Sequence, residues 1–274
     1  MRQYLDLLKD VLENGQGKSD PHGVGSIAVC GRTMRFDLSK GEFPMLTTKK
    51  LHFKSIACEL LWFLRGDTSV QFLHDNKISI WDEWATPEIC AKMGLPEGDV
   101  GRIYGAQWRH WKKTDGGEID QIKNLIEGLK EHPDWRRHMV TAWNPEDVDK
   151  VFVAPCHGIF KCFAVNGELS LHLFQRSADV FLGVPYNIAS YSLLLLMIAQ
   201  VTGLKPKEFI HTMSDVHLYN NHFEQAREQL KREPKALPKL IINPEIKDIF
   251  DFKYEDFTLV DYVADPNIKA EVAI

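Results

Sequence analysis

The sequence predicts one α+β domain, and three observations carry that expectation. Apolar residues recur at helical spacing in several separate segments, and a strongly alternating hairpin pattern surrounds Asn166-Gly167. No linker, internal repeat or low-complexity tract divides the chain, so residues 1–274 read as a single unit. A hydrophobic content of 44% over 274 residues is enough for a substantial core.

The elements follow in order. Leu5, Leu8, Val11 and Leu12 are spaced as one face of a helix, and the pattern stops at Asn14-Gly15. The Gly-rich segment from Asp20 to Ser26 reads as a turn. Its Gly23-Val24-Gly25 could cradle a phosphate, but the Gly-Lys-Ser/Thr that would support such a loop is missing. Alternation from Ile27 through Phe36 predicts a strand. Phe53, Ile56, Leu60, Leu61 and Leu64 predict an amphipathic helix over His52 to Leu64, with the carboxylate of Glu59 set unusually among them. Ile159 to Gln175 is predicted as a hairpin, because Asn-Gly is favoured where both turn residues need positive φ. Asn187 to Gly203 is apolar nearly all round and predicts a helix at the domain centre. A further helix is expected from about Asn220 to Lys231, then a loop and short strand between Glu233 and Pro244.

A net charge of −5 argues against a general nucleic-acid or anionic-membrane surface, so an anionic ligand would have to meet a local cluster of Arg or Lys. The N-terminal residues lack the apolar stretch of a signal peptide. The greasiest segment, Leu193 to Ala199, is too short to span a bilayer. The expectation is a soluble, cytoplasmic protein. Five cysteines without C-x-x-C spacing suit free thiols in a reducing compartment.

Pro155-Cys156-His157 is the first candidate for chemistry, since a thiol just before a strand can be an activated nucleophile. A Cys/His hydrolase is one reading. Adjacent side chains in extended backbone point to opposite faces, so His157 is poorly placed as the base, and His217 or His52 would have to serve. Arg136-Arg137 and Arg176-Ser177 are candidates for phosphate, which suits bidentate guanidinium groups, or are simply solvated charge. His211, His217 and His222 raise the question of a metal, but no H-E-x-x-H or zinc spacing is present and none is expected. Trp81 and Trp84 are either core residues or a stacking wall for a flat ring.

Four strings, Glu59 to Leu64, Ile80 to Trp84, Gln175 to Ser190 and Asp215 to Tyr219, closely resemble the thymidylate synthase family, and the likeness runs over nearly the whole chain. The resemblance implies a mixed β-sheet packed with helices, the sheet forming a homodimer interface. It implies reductive methylation of dUMP at C5 with 5,10-methylenetetrahydrofolate as co-substrate, giving dTMP and dihydrofolate. Cys156 would add to C6 of the pyrimidine, making C5 nucleophilic enough to take a one-carbon unit. By the same resemblance, Arg176 favours the thiolate, Glu59 works through water on proton transfers, and Tyr104 assists removal of the C5 proton. Asn187 reads N3–H and O4 of uracil, and Asp179 contacts the pterin and belongs to the catalytic set. Gln175, Arg176, Ser177, Asp179, Gly183, His217 and Tyr219 join Asn187 in holding the nucleotide, with Arg136 and Arg137 reaching the phosphate of the neighbouring subunit. The folate is expected against Ile80, Trp81, Trp84, Leu182, Gly183 and Tyr186, with Asp179 on its pterin and Lys49 near its tail. Val272, Ala273 and Ile274 would close over it.

The chain departs from the family pattern in places. Pro21-His22 stands where an arginine is usual, removing one phosphate contact. Met213-Ser214 replaces a common Gly-Gly pair, Glu42 reads as an insertion, and Cys90 to Gly101 reads as a longer surface loop. These differences leave two other readings open: a dUMP hydroxymethylase giving 5-hydroxymethyl-dUMP and tetrahydrofolate, and a non-catalytic nucleotide-binding protein.

Overall fold

The computed structural model describes residues 1–19 and 23–272. Helix α1 (Arg2–Asn14) buries Tyr4, Leu5, Leu8 and Val11 along one stripe and ends, as predicted, before Gly15. That glycine is extended, at φ −64°, and a Cβ added to it would stand 2.4 Å from the Val11 carbonyl oxygen. Its role is close backbone approach, with no call on left-handed freedom.

The strands are β1 (Gln16–Lys18), β2 (Ser26–Asp37), β3 (Trp111–Lys112), β4 (Glu118–Ile119), β5 (Met139–Thr141), β6 (Ile159–Val165), β7 (Glu168–Asp179), β8 (Lys205–Tyr219), β9 (Lys239–Ile242) and β10 (Phe257–Val260). Six of them form one mixed sheet in the order β1-β2-β8-β7-β6-β5. Only the β7–β8 pairing is parallel. A parallel pair needs a crossover, here α7 (Gly183–Thr202). The β6–β7 hairpin turns at Asn166 (φ 52°) and Gly167 (φ 75°), the pair of positive φ values that the dipeptide predicts.

The two sheet faces differ in kind. Phe160, Cys162, Leu169, Leu171, Leu173, Phe209 and Met213 are fully buried on the face that meets α7. Each large apolar side chain so buried contributes roughly 1.5–3 kcal/mol. Met213, at one of the positions where the family commonly has glycine, is thus a core residue. The opposite face exposes Phe163, Val165 and Phe174, with Met139 exposed on the edge strand. Helix α7 is buried almost all round and, at 20 residues, is long and apolar enough to cross a bilayer, a length that the run Leu193 to Ala199 understates. Its apolar window is 83% buried inside the protein, so it is packed as a core helix.

The remaining helices are α2 (Phe53–Arg65), α3 (Gln71–Asp75), α4 (Pro87–Met93), α5 (Tyr104–Arg109), α6 (Gln121–Glu131) and α8 (Phe223–Leu230). Helix α4 corrects the expectation of a surface loop from Cys90 to Gly101. Thr86 caps it by accepting the Ile89 N–H, Pro87 opens it, and Gly94 ends it in the left-handed region. Cys90 is buried and its Sγ lies 3.3 Å from the Asp99 carbonyl oxygen, which ties the segment down. All five thiols are unpaired.

Candidate active site

Cys156 lies on the connection from β5 to β6, where Arg176 of β7 holds the backbone. The Arg176 N–H donates to the Cys156 carbonyl at 2.8 Å. Its guanidinium donates from Nε to Pro155 O at 3.0 Å and from Nη2 to Ala154 O at 2.7 Å, leaving Nη2 3.8 Å from Cys156 Sγ. The cation is therefore fixed by two carbonyls before it meets the sulfur. Burial pushes the Cys156 thiol up, against the opposing effects of the Arg176 charge and of hydrogen bonds from Tyr104 and Ser177. Arg176 acts in the direction that the resemblance implies, but burial is the larger influence, so the resting group is a thiol.

Tyr104 opens α5. Gly105 brings that helix against α2: a Cβ there would be 2.8 Å from Phe63 O and 3.0 Å from Phe63 Cα. So placed, the Tyr104 hydroxyl accepts the Cys156 N–H at 2.8 Å, and its ring stacks on His157 with centroids 3.9 Å apart. Burial holds the phenol well above its ordinary pKa, so it is neutral. His157 Nδ1 is 2.7 Å from the Tyr191 hydroxyl, and burial drives its pKa down to about 3. The ring is a neutral packing element. His52 is bonded to Ser55, and His217 Nδ1 sits 3.4 Å from Asp215 Oδ1. No histidine is hydrogen-bonded to the thiol among the described residues, which removes the support for a Cys/His hydrolase.

Glu59 projects from α2 between buried apolar neighbours, and one oxygen accepts the Trp81 Nε1–H at 2.7 Å. Burial raises its pKa to about 7, against the lowering effect of that hydrogen bond. Such a carboxyl can both give and take a proton near neutrality. Trp81 is itself buried and T-shaped against Trp84, with centroids 5.4 Å apart. Trp81 is thus a core residue with a polar task, while Trp84 and Ile80 are only partly buried.

Around α7, Gln175 Nε2 donates to Asn187 Oδ1 at 3.1 Å, placing the carboxamide at the inner end of the sheet. Asp179 Oδ1 accepts the N–H groups of Phe181 and Leu182 at 2.9 and 3.1 Å and so shapes the turn into the helix. Gly183 lies between them: a Cβ there would be 3.7 Å from Asp179 Cβ and 3.8 Å from Asn187 Oδ1. Next to this turn is a cavity of about 540 Å³ lined by Lys49, Leu182, Tyr186, Gln225 and the C-terminal residues 267–271. Lys49 is deeply buried, donates to Phe181 O at 2.6 Å, and has its pKa lowered to about 8 by burial, against the attraction of Asp179. A flat, partly anionic ligand fits this lining: aromatic and aliphatic walls, the ammonium groups of Lys49 and Lys269, and the carboxylate of Glu271.

The far side of the site is β8. His217 packs edge-on against Tyr219 with centroids 5.1 Å apart, and Asp215 also pairs with Lys18. His222 Nε2 donates to the Glu271 carbonyl at 2.7 Å, which ties down the C-terminal segment. Val272 is exposed, whereas Ala273, Ile274, Pro21 and His22 lie outside the described residues. His211, His217 and His222 each have a separate partner, and no group of three metal-ligating side chains occurs among the described residues.

Arg136 and Arg137 stand apart from this cluster. They are exposed on the turn entering β5, with Arg137 3.8 Å over the Trp135 ring. Met139 pairs with Lys161 and Thr141 with Ile159, so the connection bearing Cys156 leaves from the Thr141 end. The two arginines enter at the other end. Two contributors, Gln175 through its bond to Asn187 and His222 through its bond to the C-terminal segment, had no mechanical role legible in their spacing. A polar side chain in the buried row of a strand was the available signal for Gln175.

A half-buried cysteine fixed beside an arginine, a carboxyl raised to about 7 and a carboxamide held by Gln175 are groups suited to an enzyme's active site. Residues 2–274 match the family model for thymidylate synthase, and the chain belongs to that family. Membership makes it a one-carbon transferase of a family whose substrates are dUMP and a methylenetetrahydrofolate co-substrate.

Proposed function

We propose that this protein is a thymidylate synthase that methylates dUMP at C5 through a covalent bond from Cys156 to C6. The observation that carries the reading is the placement of Cys156 Sγ 3.8 Å from an anchored Arg176, with the Tyr104 hydroxyl oxygen accepting the Cys156 N–H. As the thiol gives its proton to water, the adjacent cation stabilises the thiolate, whose addition to C6 breaks the C5=C6 π bond and leaves its electron pair on C5 as an enolate-like carbon. Glu59, with a pKa of about 7, takes up and returns protons through water around the pyrimidine O4. Asn187 meets N3–H and O4, His217 and Tyr219 the sugar, and Arg176 with Ser177 the phosphate. When bound, reduced folate supplies the one-carbon unit and the hydride. Lys49, Asp179, Leu182, Gly183, Tyr186, Ile80, Trp81 and Trp84 would hold it.

Methylation in preference to hydroxymethylation is supported by features that exclude water. Trp81 is buried against the carboxyl of Glu59, and residues 267–271 wall the cavity while His222 holds them. A homodimer is supported by the exposed Met139, Phe163, Val165 and Phe174 and by the exposure of Arg136 and Arg137 at the end of β5 opposite to the connection that bears Cys156. The test is to incubate the protein with dUMP and methylenetetrahydrofolate, weigh the nucleotide product and follow dihydrofolate. dTMP with dihydrofolate is expected. 5-Hydroxymethyl-dUMP with tetrahydrofolate would overturn the methylation, and absence of any product from folded protein would overturn the enzyme reading.

A further inference from the structure

Asn187 is one end of a chain of three side chains. Gln175 Nε2 donates to Asn187 Oδ1 at 3.1 Å and to Ser177 O at 2.9 Å, and Gln175 Oε1 lies 2.8 Å from His211 Nε2. Gln175 and His211 both lie in the buried rows of their strands, and His211 is fully buried beside Phe209. We propose that His211, by donating to Gln175 Oε1, fixes together with Ser177 O the polarity of this hydrogen-bond chain, so that Asn187 is held in the orientation that accepts uracil and rejects cytosine. The inference deepens the dUMP reading and rests on it.

The reasoning is an accounting of donors and acceptors. Both Gln175 N–H bonds are committed, one to Ser177 O and one to Asn187 Oδ1. Gln175 Oε1 must then receive a proton, which, among the described residues, His211 Nε2 is placed to offer at 2.8 Å. Turning the Gln175 amide over would set its oxygen against Ser177 O and Asn187 Oδ1, two acceptors facing an acceptor. Turning Asn187 over would oppose its NH2 to that of Gln175. His211 Nδ1 is buried with no hydrogen-bond partner among the described residues, so nothing competes for the ring proton at that nitrogen. Burial also lowers the pKa of the ring to about 3, which keeps it neutral with a single proton. That proton belongs on Nε2.

With Oδ1 fixed toward Gln175, Asn187 retains one acceptor position on that oxygen and the donors of its NH2. The uracil edge presents N3–H and O4 and matches. The cytosine edge presents N3 and an amino group and would require the amide reversed, leaving a buried pair mismatched at a cost of roughly tenfold to a hundredfold in affinity. His211 is therefore a positioning residue two hydrogen bonds removed from Asn187 and three from the base.

Calorimetric binding of dUMP and dCMP to wild type, His211→Phe and His211→Gln tests the inference. Wild type should favour dUMP. His211→Phe should lower the dUMP:dCMP affinity ratio by tenfold or more with the thermal midpoint kept, and His211→Gln, which can still present an N–H, should restore most of it. An unchanged ratio in folded His211→Phe, or an equal loss for both nucleotides, would overturn the proposal. If that variant does not fold, nitrogen-15 NMR of wild type decides: a proton on Nε2 of His211 is expected, and a proton on Nδ1 refutes it. A wild type without preference for dUMP would sink the uracil reading itself, before any variant is made.

Discussion

Replacing Glu59 by glutamine should stabilise the protein at alkaline pH while removing activity. The pKa of the carboxyl is raised from 4.5 to about 7, chiefly by burial. Below pH 4.5 the group is protonated in both the folded and the unfolded chain and costs nothing. Between 4.5 and 7 the unfolded chain loses the proton first, so stability falls as pH rises and levels off above 7. At 1.36 kcal/mol per pH unit, that gap corresponds to about 3 kcal/mol. Glutamine is neutral, nearly isosteric, and keeps an oxygen to accept the Trp81 Nε1–H now at 2.7 Å. Denaturant unfolding at fixed protein concentration should therefore show Glu59→Gln up to about 3 kcal/mol more stable than wild type at pH 8.5, with little difference at pH 4.5. Turnover should drop by at least about a hundredfold, the usual contribution of a proton-transfer group. A stability difference that is the same at both pH values would refute the reasoning, because the penalty would then not be ionisation.

Three further outcomes follow from the same geometry. Trp81→Phe removes the hydrogen bond that lowers the Glu59 pKa; a bond to a charged group is worth about 1.5–3 kcal/mol, so the pH-rate limb assigned to Glu59 should move up by one to two units, and a limb that stays near 7 would contradict the assignment. Arg176→Ala takes away the cation 3.8 Å from Cys156 Sγ, so alkylation of that thiol by iodoacetamide at pH 8 should slow by about tenfold; an equal or faster rate would mean that Arg176 serves only to hold the loop. His222→Phe frees the Glu271 carbonyl, and the KM for methylenetetrahydrofolate should rise roughly two- to tenfold, with more hydroxymethyl product and an unchanged KM for dUMP. Parallel rises in both KM values would point to general loosening of the fold.

Much of the fold was legible because its signals are local. The Asn166-Gly167 turn, the stripe of α1 and the all-round apolarity of α7 are each written within a few consecutive residues, and each element occurs where its pattern places it. The stretch from Cys90 to Gly101 reads as a surface loop, yet its first four residues end α4, because a seven-residue helix capped by Thr86 and Gly94 leaves little apolar periodicity to detect. Arg176, Asn187 and Glu59 sit in the strings that carry the family likeness, whereas Cys156 lies outside them and is singled out by its place just before a strand. His211 was read only as a candidate metal ligand. Its actual partner is on another strand, and no spacing announces a bond across a sheet.

From the sequence alone came the α+β class, the central buried helix, a carboxylate placed on an apolar helical face and a thiol just ahead of a strand. Backbone preference and periodicity depend on near neighbours, so these are determined before any tertiary contact forms. Only the folded structure decided what the groups can do. The pKa of about 7 at Glu59 depends on burial and on Trp81, 22 residues away, and the orientation of Asn187 depends on a histidine whose bond to Gln175 spans 36 residues. Desolvation and hydrogen bonding act through space, and the chain must close on itself before either has a value.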